Sequence, residues 1–598
     1  MPARHHLSPL KFLGSILLTV AFLLTPLITT AEENIPLFIQ QRLEELCFEE
    51  QADKIGQEPI YAAGFLLDLY RRNQFQLLWT NQDTINQLLT AIINGAEEGL
   101  IPDDYHLKAI THFGNQLQQG ASPMANVVEY DLLLSDAMIL LAQHKKYGKV
   151  DPRKVEEKKN LEPAAPHAFP SDTFLNAIRN GTVRTTLDSS SPDHQAYINL
   201  KQALTQYRKI ASNGGWHAVP NGPSLKPGDR DDRVTAIRKR LTVTGDLHQK
   251  NKNGGDPALF DSTLVAAVKA FQTRHHQEPD GVAGQATIKA MNVPVADRIN
   301  QIRVNLERTR WVIRDMPSSS LIVDIAGFML QYYHQDKLVW SSKVMVGKPF
   351  HQTPVFRSAV TYLVLNPTWT IPPNIAKDET VPSISKDQGY LQRQRLRVLD
   401  SSGAEVDPGT IPWGQYVGKH FPYTLRQVSG ADNSLGLIKF LFPNPYHVYL
   451  HDTPSKSLFG RTQRAFSHGC IRVQNPLELG KLLLTNDPGN PTNEEKFAQI
   501  LASGKTATVI LKQPLPIYLI YLTTNVRDGV VLFKPDLYNR DQGIFEALNG
   551  PPSILEQSTQ ITEARSQATA LADRTPKPIV TAAESSTAET EQHAKNTL

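Results

Sequence analysis

Apolar residues recur every three to four positions through 62–72, 84–95 and 129–147, the spacing that lays one hydrophobic stripe along a helix. Turn signals separate these stretches, at Gly99-Leu100-Ile101-Pro102 and at Gly148-Lys149-Val150-Asp151-Pro152. Residues 36–220 therefore read as one mostly helical domain. No titratable cluster stands out in it, so a scaffold role is expected. A second helical unit occupies 223–292. Val234, Ile237 and Leu241 share one helix face there, and Ala267-Val268-Lys269-Ala270-Phe271-Gln272 marks a second helix. Pro279-Asp280-Gly281 then turns the chain into a third helix near Thr287.

From residue 318 the period changes to two. The stretches 321–325, 328–333, 338–347 and 362–372 read as strands with short links, which predicts a mainly antiparallel β sandwich or barrel rather than a parallel sheet. Residues 374–441 interrupt the alternation with polar, helical and loop-like sequence, and are expected to form a lid inserted into this domain. Residues 476–484 read as a helix and 506–511 as a closing strand, so the domain is assigned to 318–512. A packing segment of strand and terminal helix follows at 513–549. Residues 551–598 are rich in Ser, Thr, Ala and Glu with no aromatic side chain, the composition of a disordered tail. The fold class is multidomain α+β.

At 598 residues the chain exceeds what one core serves. A net charge of +3 without a basic stripe gives no argument for nucleic acid. Arg4 and Lys11 precede the apolar run 12–24, Pro26 then breaks the helix, and Thr29-Thr30-Ala31 are small. Residues 1–31 are thus expected to be a signal peptide, with an uncleaved anchor as the alternative and no other membrane contact. Two cysteines cannot make a disulfide framework, and pairing them would consume Cys470. Cys47 is read as a small buried residue and both thiols as reduced.

The candidate chemistry lies in Ser467-His468-Gly469-Cys470-Ile471-Arg472. A thiolate is a strong nucleophile at neutral pH, and a nearby imidazole can create it by taking the proton. His451 ends a β-rich run, and fifteen residues separate it from Ser467. A loop of that length can return to the sheet and bring ring and sulfur together. Glycine before the cysteine allows close backbone approach, so the amides of Gly469 and Cys470 are candidate oxyanion donors. A zinc site using His451, His468 and Cys470 is the metal alternative, but no H-E-x-x-H occurs and no metal ligand set stands out.

A histidine, fifteen residues and then S-H-G-C followed by Ile-Arg-Val resembles the signature of the L,D-transpeptidase catalytic domain. L-x-x-G, A-V-x-x-F-Q and D-G-x-x-G-x-x-T in 223–292 resemble the three-helix peptidoglycan-binding domain of wall enzymes. Asn366-Pro367-Thr368-Trp369, Arg464-Ala465-Phe466 and Lys534-Pro535-Asp536 are similar to the large periplasmic members of Gram-negative bacteria.

The resemblance implies a periplasmic enzyme that forms 3-3 cross-links between peptidoglycan stem peptides through a cysteine acyl-enzyme, with no cofactor. Cys470 is then the nucleophile, His451 the base, and His468 and Gly469 oxyanion donors beside Cys470. Tyr449, Arg472, Asp452, Ser467, Trp413 and Asn444 are the candidate substrate-binding or orienting residues, with Trp369 a weaker one. The sacculus and cell-wall synthases are the expected partners. Hydrolysis by the same cysteine, on peptidoglycan or a wall-linked protein, is the alternative activity. A wall-binding scaffold with a vestigial site is the non-enzymatic one.

Overall fold

The computed structural model describes residues 35–48, 53–120, 123–155, 170–248, 256–313 and 316–552. The expected signal peptide and all but the first residues of the expected tail lie outside them. Among the described residues no helix is long and apolar enough to cross a membrane.

The N-terminal domain is built around the helix Met124–Tyr147, against which Ala63–Arg72, Gln82–Asn94 and Leu107–Gln118 pack. The central helix is buried on nearly every side, so no single stripe marks it, and it starts five residues before the periodicity at 129. The interior also holds charge. The buried carboxylate of Asp131 accepts from the amides of Leu78 and Trp79 at 3.0 and 2.8 Å and from the Tyr70 hydroxyl at 2.6 Å. Buried Glu98 accepts from Lys201 at 2.9 Å and from the Tyr197 hydroxyl at 2.7 Å. The expectation of no titratable cluster here is corrected. Each group finds its partners dozens of positions away in the chain, where local spacing carries no signal.

In the second unit, helices Asp232–Val243, Ser262–Arg274 and Gln285–Met291 enclose one apolar core. Asp231 and Asp261 cap the first two, accepting from the amides of Arg233 and Leu264. Gln272 explains why the helix signature ends in glutamine. Its Oε1 accepts the Gly281 amide at 2.9 Å while its Nε2 donates to Asp280 at 2.7 Å, pinning a turn that needs φ +78° at glycine.

Helix Val295–Val312, which sequence patterning leaves unassigned, ties the modules together. Arg310 donates to the Glu98 carbonyl in the scaffold at 2.6 Å. Asn305 exchanges two hydrogen bonds with Thr523, at 2.7 and 2.8 Å, beyond the last long strand.

The catalytic candidate region is a nine-stranded sheet. Its strands in chain order are β1 (Ser320–Asp324), β2 (Met329–His334), β3 (Lys337–Gly347), β4 (Phe356–Leu365), β5 (Ile438–Leu441), β6 (Leu450–His451), β7 (Ala465–Ser467), β8 (Ile471–Val473) and β9 (Ala507–Ile520). The spatial order is β7-β3-β8-β6-β5-β4-β9-β1-β2, and β2 also pairs with β3, which closes the sheet into a barrel. Leu321, Leu330, Val344, Leu363, Leu450, Ile471 and Leu519 fill its interior.

The mainly antiparallel expectation holds for six of the nine pairings, while the pairs β6–β8, β9–β1 and β7–β3 are parallel. Two boundaries differ from the sequence reading. Strand β9 continues past 512, the expected domain boundary, with a bulge between Ile510 and Leu515, and its residues 517–520 pair with β1. The insert ends before Ile438, since β5 belongs to the barrel, and it begins before 374, because Trp369–Thr370 forms a small sheet with Leu396–Leu399 and Thr424–Gln427. That cap buries a core of its own around Val381, Ile384, Trp413 and Phe421.

Candidate active site

Parallel pairing decides where the chemistry lies. On β6 and β8, Leu450 stands opposite Ile471 and His451 opposite Arg472. Leu450 and Ile471 are fully buried in the barrel. Alternation therefore puts Tyr449, His451, Cys470 and Arg472 together on the other face. The adjoining strand adds a fifth group to that face, because Lys439 on β5 stands opposite His451.

The imidazole is held in one tautomer. His451 Nδ1 lies 2.5 Å from the carbonyl oxygen of Asp452. A carbonyl only accepts, so Nδ1 carries the proton and Nε2 keeps its lone pair for the thiol. Burial drives the His451 pKa down to about 3, helped by the Arg472 and Lys439 charges and opposed by the Asp452 carbonyl. The ring is therefore neutral at any ordinary pH.

The sulfur is half-buried. Burial pushes the Cys470 thiol up, while hydrogen bonds from the Tyr449 amide and hydroxyl and the charges of Lys439 and Arg472 pull the other way. The thiol donates to the His447 carbonyl at 3.7 Å, so in this state its proton is directed to that carbonyl and not to His451. The rings of Tyr449 and His451 meet edge to face at 5.6 Å. Trp369, from the cap, hydrogen-bonds the Tyr449 hydroxyl, so one wall of the site is supplied by the insert.

The turn between β7 and β8 is braced by its own side chain. Ser467 Oγ donates to the Cys470 carbonyl at 2.6 Å and accepts the Gly469 amide at 3.1 Å. Gly469 holds φ +116°, a conformation that L side chains rarely adopt. Because its amide is committed to Ser467, Gly469 is not an oxyanion donor. That corrects the sequence reading and leaves the amides of His468 and Cys470 for the role. Thr353 Oγ donates to the Gly469 carbonyl at 2.8 Å, and Tyr538 from the C-terminal segment accepts the Thr353 amide at 3.2 Å.

Several expected residues serve other ends. The carboxylate of Asp452 turns away from this face, accepting the Leu437 amide at 2.9 Å and pairing with Lys456. Only its backbone carbonyl reaches the site. Asn444 spends its side chain on the loop it sits in, donating to the Phe442 and Val448 carbonyls at 2.9 and 2.8 Å. Trp413 is buried in the cap core, stacked on Phe421 with ring centroids 5.2 Å apart, and does not line the site. An aromatic residue in an insert is as useful to that insert's own core as to a groove. The His468 side chain points at the cap, where Glu379 lies 2.6 Å from Nε2. His468 and His451 are thus turned to different partners and do not converge with Cys470 as metal ligands.

Two groups at the site escaped sequence reasoning, Lys439 and Glu379. Lys439 sits in Ile438-Lys439-Phe440, an alternation that puts it opposite the core, yet only strand pairing sets it beside His451. Glu379 lies in a π-helical turn of the insert, with no local pattern connecting it to residue 468.

Residues 318–490 match the family model of the L,D-transpeptidase catalytic domain. The chain carries an L,D-transpeptidase catalytic domain. Upstream, residues 65–204 match a scaffold domain and 230–291 a domain described as "Putative peptidoglycan binding domain". A relative from Haemophilus influenzae named "Putative L,D-transpeptidase" is 34% identical over 257 residues, 42% of this chain and 51% of its own length. The N-acetylmuramoyl-L-alanine amidase CwlM of Mycobacterium tuberculosis is 40% identical over 76 residues, 12% of this chain and 19% of its own. The chain thus spans about half the length of the first relative and less of the second. Among solved structures, the L,D-transpeptidase of Xylanimonas cellulosilytica is 15% identical, covering 50% of this chain and 99% of that one at a TM-score of 0.16. Within the L,D-transpeptidase domain, His451 and Cys470 fall inside the matched residues, while β9 completes the barrel beyond them.

Proposed function

We propose that the chain is an exported peptidoglycan L,D-transpeptidase working through a Cys470 acyl-enzyme. One observation supports the reading: the parallel pairing of β6 and β8 sets His451 and Cys470 on one face, with His451 Nδ1 committed to the Asp452 carbonyl and Nε2 left as the acceptor. The Cys470 proton passes to His451 Nε2, and the sulfur attacks the L-centre carbonyl before the terminal D-residue of a donor stem. A carbon–sulfur bond forms, and the amides of His468 and Cys470 hold the oxyanion. Losing one such donor typically costs about 3 kcal/mol of transition-state stabilisation. Collapse breaks the carbon–nitrogen bond, and the leaving amine takes the proton from His451. An acceptor amine then attacks the thioester, gives its proton to His451 and releases the thiolate. With diaminopimelate residues as donor and acceptor the product is a 3-3 cross-link.

The helical unit at 230–291 supports retention on the sacculus, and the apolar run in the first residues supports export to the periplasm. Cell-wall synthases are proposed as partners that supply nascent strands. Incubating the full chain with tetrapeptide muropeptides and weighing the products tests the reading. Cross-linked dimers with Cys470-dependent release of the terminal residue are expected. Tripeptides without dimers would make the protein a hydrolase, and no change in the muropeptides would leave a wall-binding module.

A further inference from the structure

The catalytic face carries two cations and, among the described residues, no carboxylate to match them. Lys439 and Arg472 flank His451 on the two adjoining strands, each opposite it in register. Neighbouring strands lie about 4.8 Å apart, so long side chains from both can converge above the ring and the sulfur. Lys439 is half-buried, with Nζ 3.8 Å above the Tyr449 ring, and makes no ion pair. Arg472 Nε is buried without a hydrogen-bond partner. The acids nearby are committed elsewhere, Asp452 to Lys456 and Glu379 to His468. Burying unpaired charge is costly, so an arrangement of this kind is expected to meet an anion.

The thiolate alone does not balance the site. His451 is neutral and Tyr449 stays a phenol because burial raises it, so two positive charges face one sulfur and one remains uncompensated. We propose that Lys439 is a specificity-determining residue which, with Arg472, receives a carboxylate of the donor peptide while the scissile carbonyl rests on Cys470. This deepens the transpeptidase reading and rests on it. The carbonyl must stand over the sulfur, and one residue spans about 3.5 Å, so the carboxylate lies within about one residue of the attacked bond. Two carboxylates of a stem satisfy that, the C-terminus of the leaving residue and the side-chain carboxylate of the attacked one.

The test compares kcat/KM for release of the terminal residue by the full chain from three donors: the free tetrapeptide stem, its C-terminal amide, and the stem amidated on the attacked residue's side chain. In the unaltered protein, amidating the recognised carboxylate is expected to lower kcat/KM about 10- to 100-fold, and the amide that does so identifies which carboxylate is read. Lys439→Met should lose a similar factor on the free acid and become nearly indifferent to that amidation, with Lys439→Arg restoring most of the discrimination. Equal turnover of all three donors by the unaltered protein overturns the proposal without recourse to a variant. So does a Lys439→Met protein that keeps the original ratio of acid to amide. If no stem is processed although iodoacetamide still alkylates Cys470, the transpeptidase reading itself fails, and the role of Lys439 with it.

Discussion

Ser467→Ala removes one hydroxyl and leaves two groups of the catalytic turn without partners. The Gly469 amide loses its acceptor at 3.1 Å and the Cys470 carbonyl its donor at 2.6 Å, and Ser467 is buried at 2% exposure. An unsatisfied buried donor or acceptor costs about 1–3 kcal/mol. Two of them would come to about 2–6 kcal/mol if the turn stayed rigid, and part of that is recovered when the turn relaxes. Relaxation harms the chemistry, because Gly469 holds a left-handed conformation and the following amide is a candidate oxyanion donor. Ser467→Ala is therefore expected to fold, to lower kcat of stem processing about 10- to 100-fold with little change in KM, and to raise amide exchange locally at 468–470. Ser467→Thr, which keeps the hydroxyl, should recover much of the rate. Hydrogen exchange with mass spectrometry, alongside product release, gives both readouts. If Ser467→Ala leaves exchange and kcat at the original values, the hydroxyl does not brace the turn and the account of the β7–β8 corner is wrong.

Because burial raises the Cys470 thiol, alkylation by iodoacetamide in the free protein should keep increasing with pH beyond the ordinary thiol value of about 8.5, and a plateau below neutrality would contradict the site electrostatics. His451 is depressed to about 3, so between that value and about 6.5 the unfolded chain binds more protons than the folded one. Its contribution to stability is complete above that window and is lost as the pH falls through it. His451→Gln should flatten this part of the acid-unfolding curve of the catalytic domain. Gly469→Ala must force a residue with Cβ to φ +116°, at a cost of about 1–3 kcal/mol, although the nearest backbone atom, the Gln352 carbonyl oxygen, would lie at an ordinary 3.6 Å. A collapse of turnover with the barrel still folded is expected by circular dichroism and product analysis. Glu379→Ala removes the cap's hold on His468, and faster limited proteolysis of the cap at 366–437 should follow.

Composition and period determined a good deal here. The change from a spacing of three and four to a spacing of two marks the passage from helical modules to barrel, because each period is a direct consequence of backbone geometry. The S-H-G-C string, with a histidine upstream, is local enough to carry the resemblance from which a nucleophile and its base are proposed. The turn at Asp280-Gly281 is legible in kind, since a turn that needs a left-handed residue writes itself into a few adjacent positions.

Only tertiary structure decided which residues face the sulfur. Strand register sets Lys439 and Arg472 on either side of His451, turns the Asp452 carboxylate away, and spends the Gly469 amide on Ser467. Trp413 and Asn444 have the residue types of a binding groove but serve the packing of their own segments. The parallel pairing of β6 and β8, the helix Val295–Val312 that bonds to the scaffold and to the segment beyond β9, and the buried charges around Glu98 likewise depend on partners far away in the chain. A hydrophobic period says which side of a strand or helix is buried. It does not say what lies across from it, and the chemistry of this site is set by what lies across.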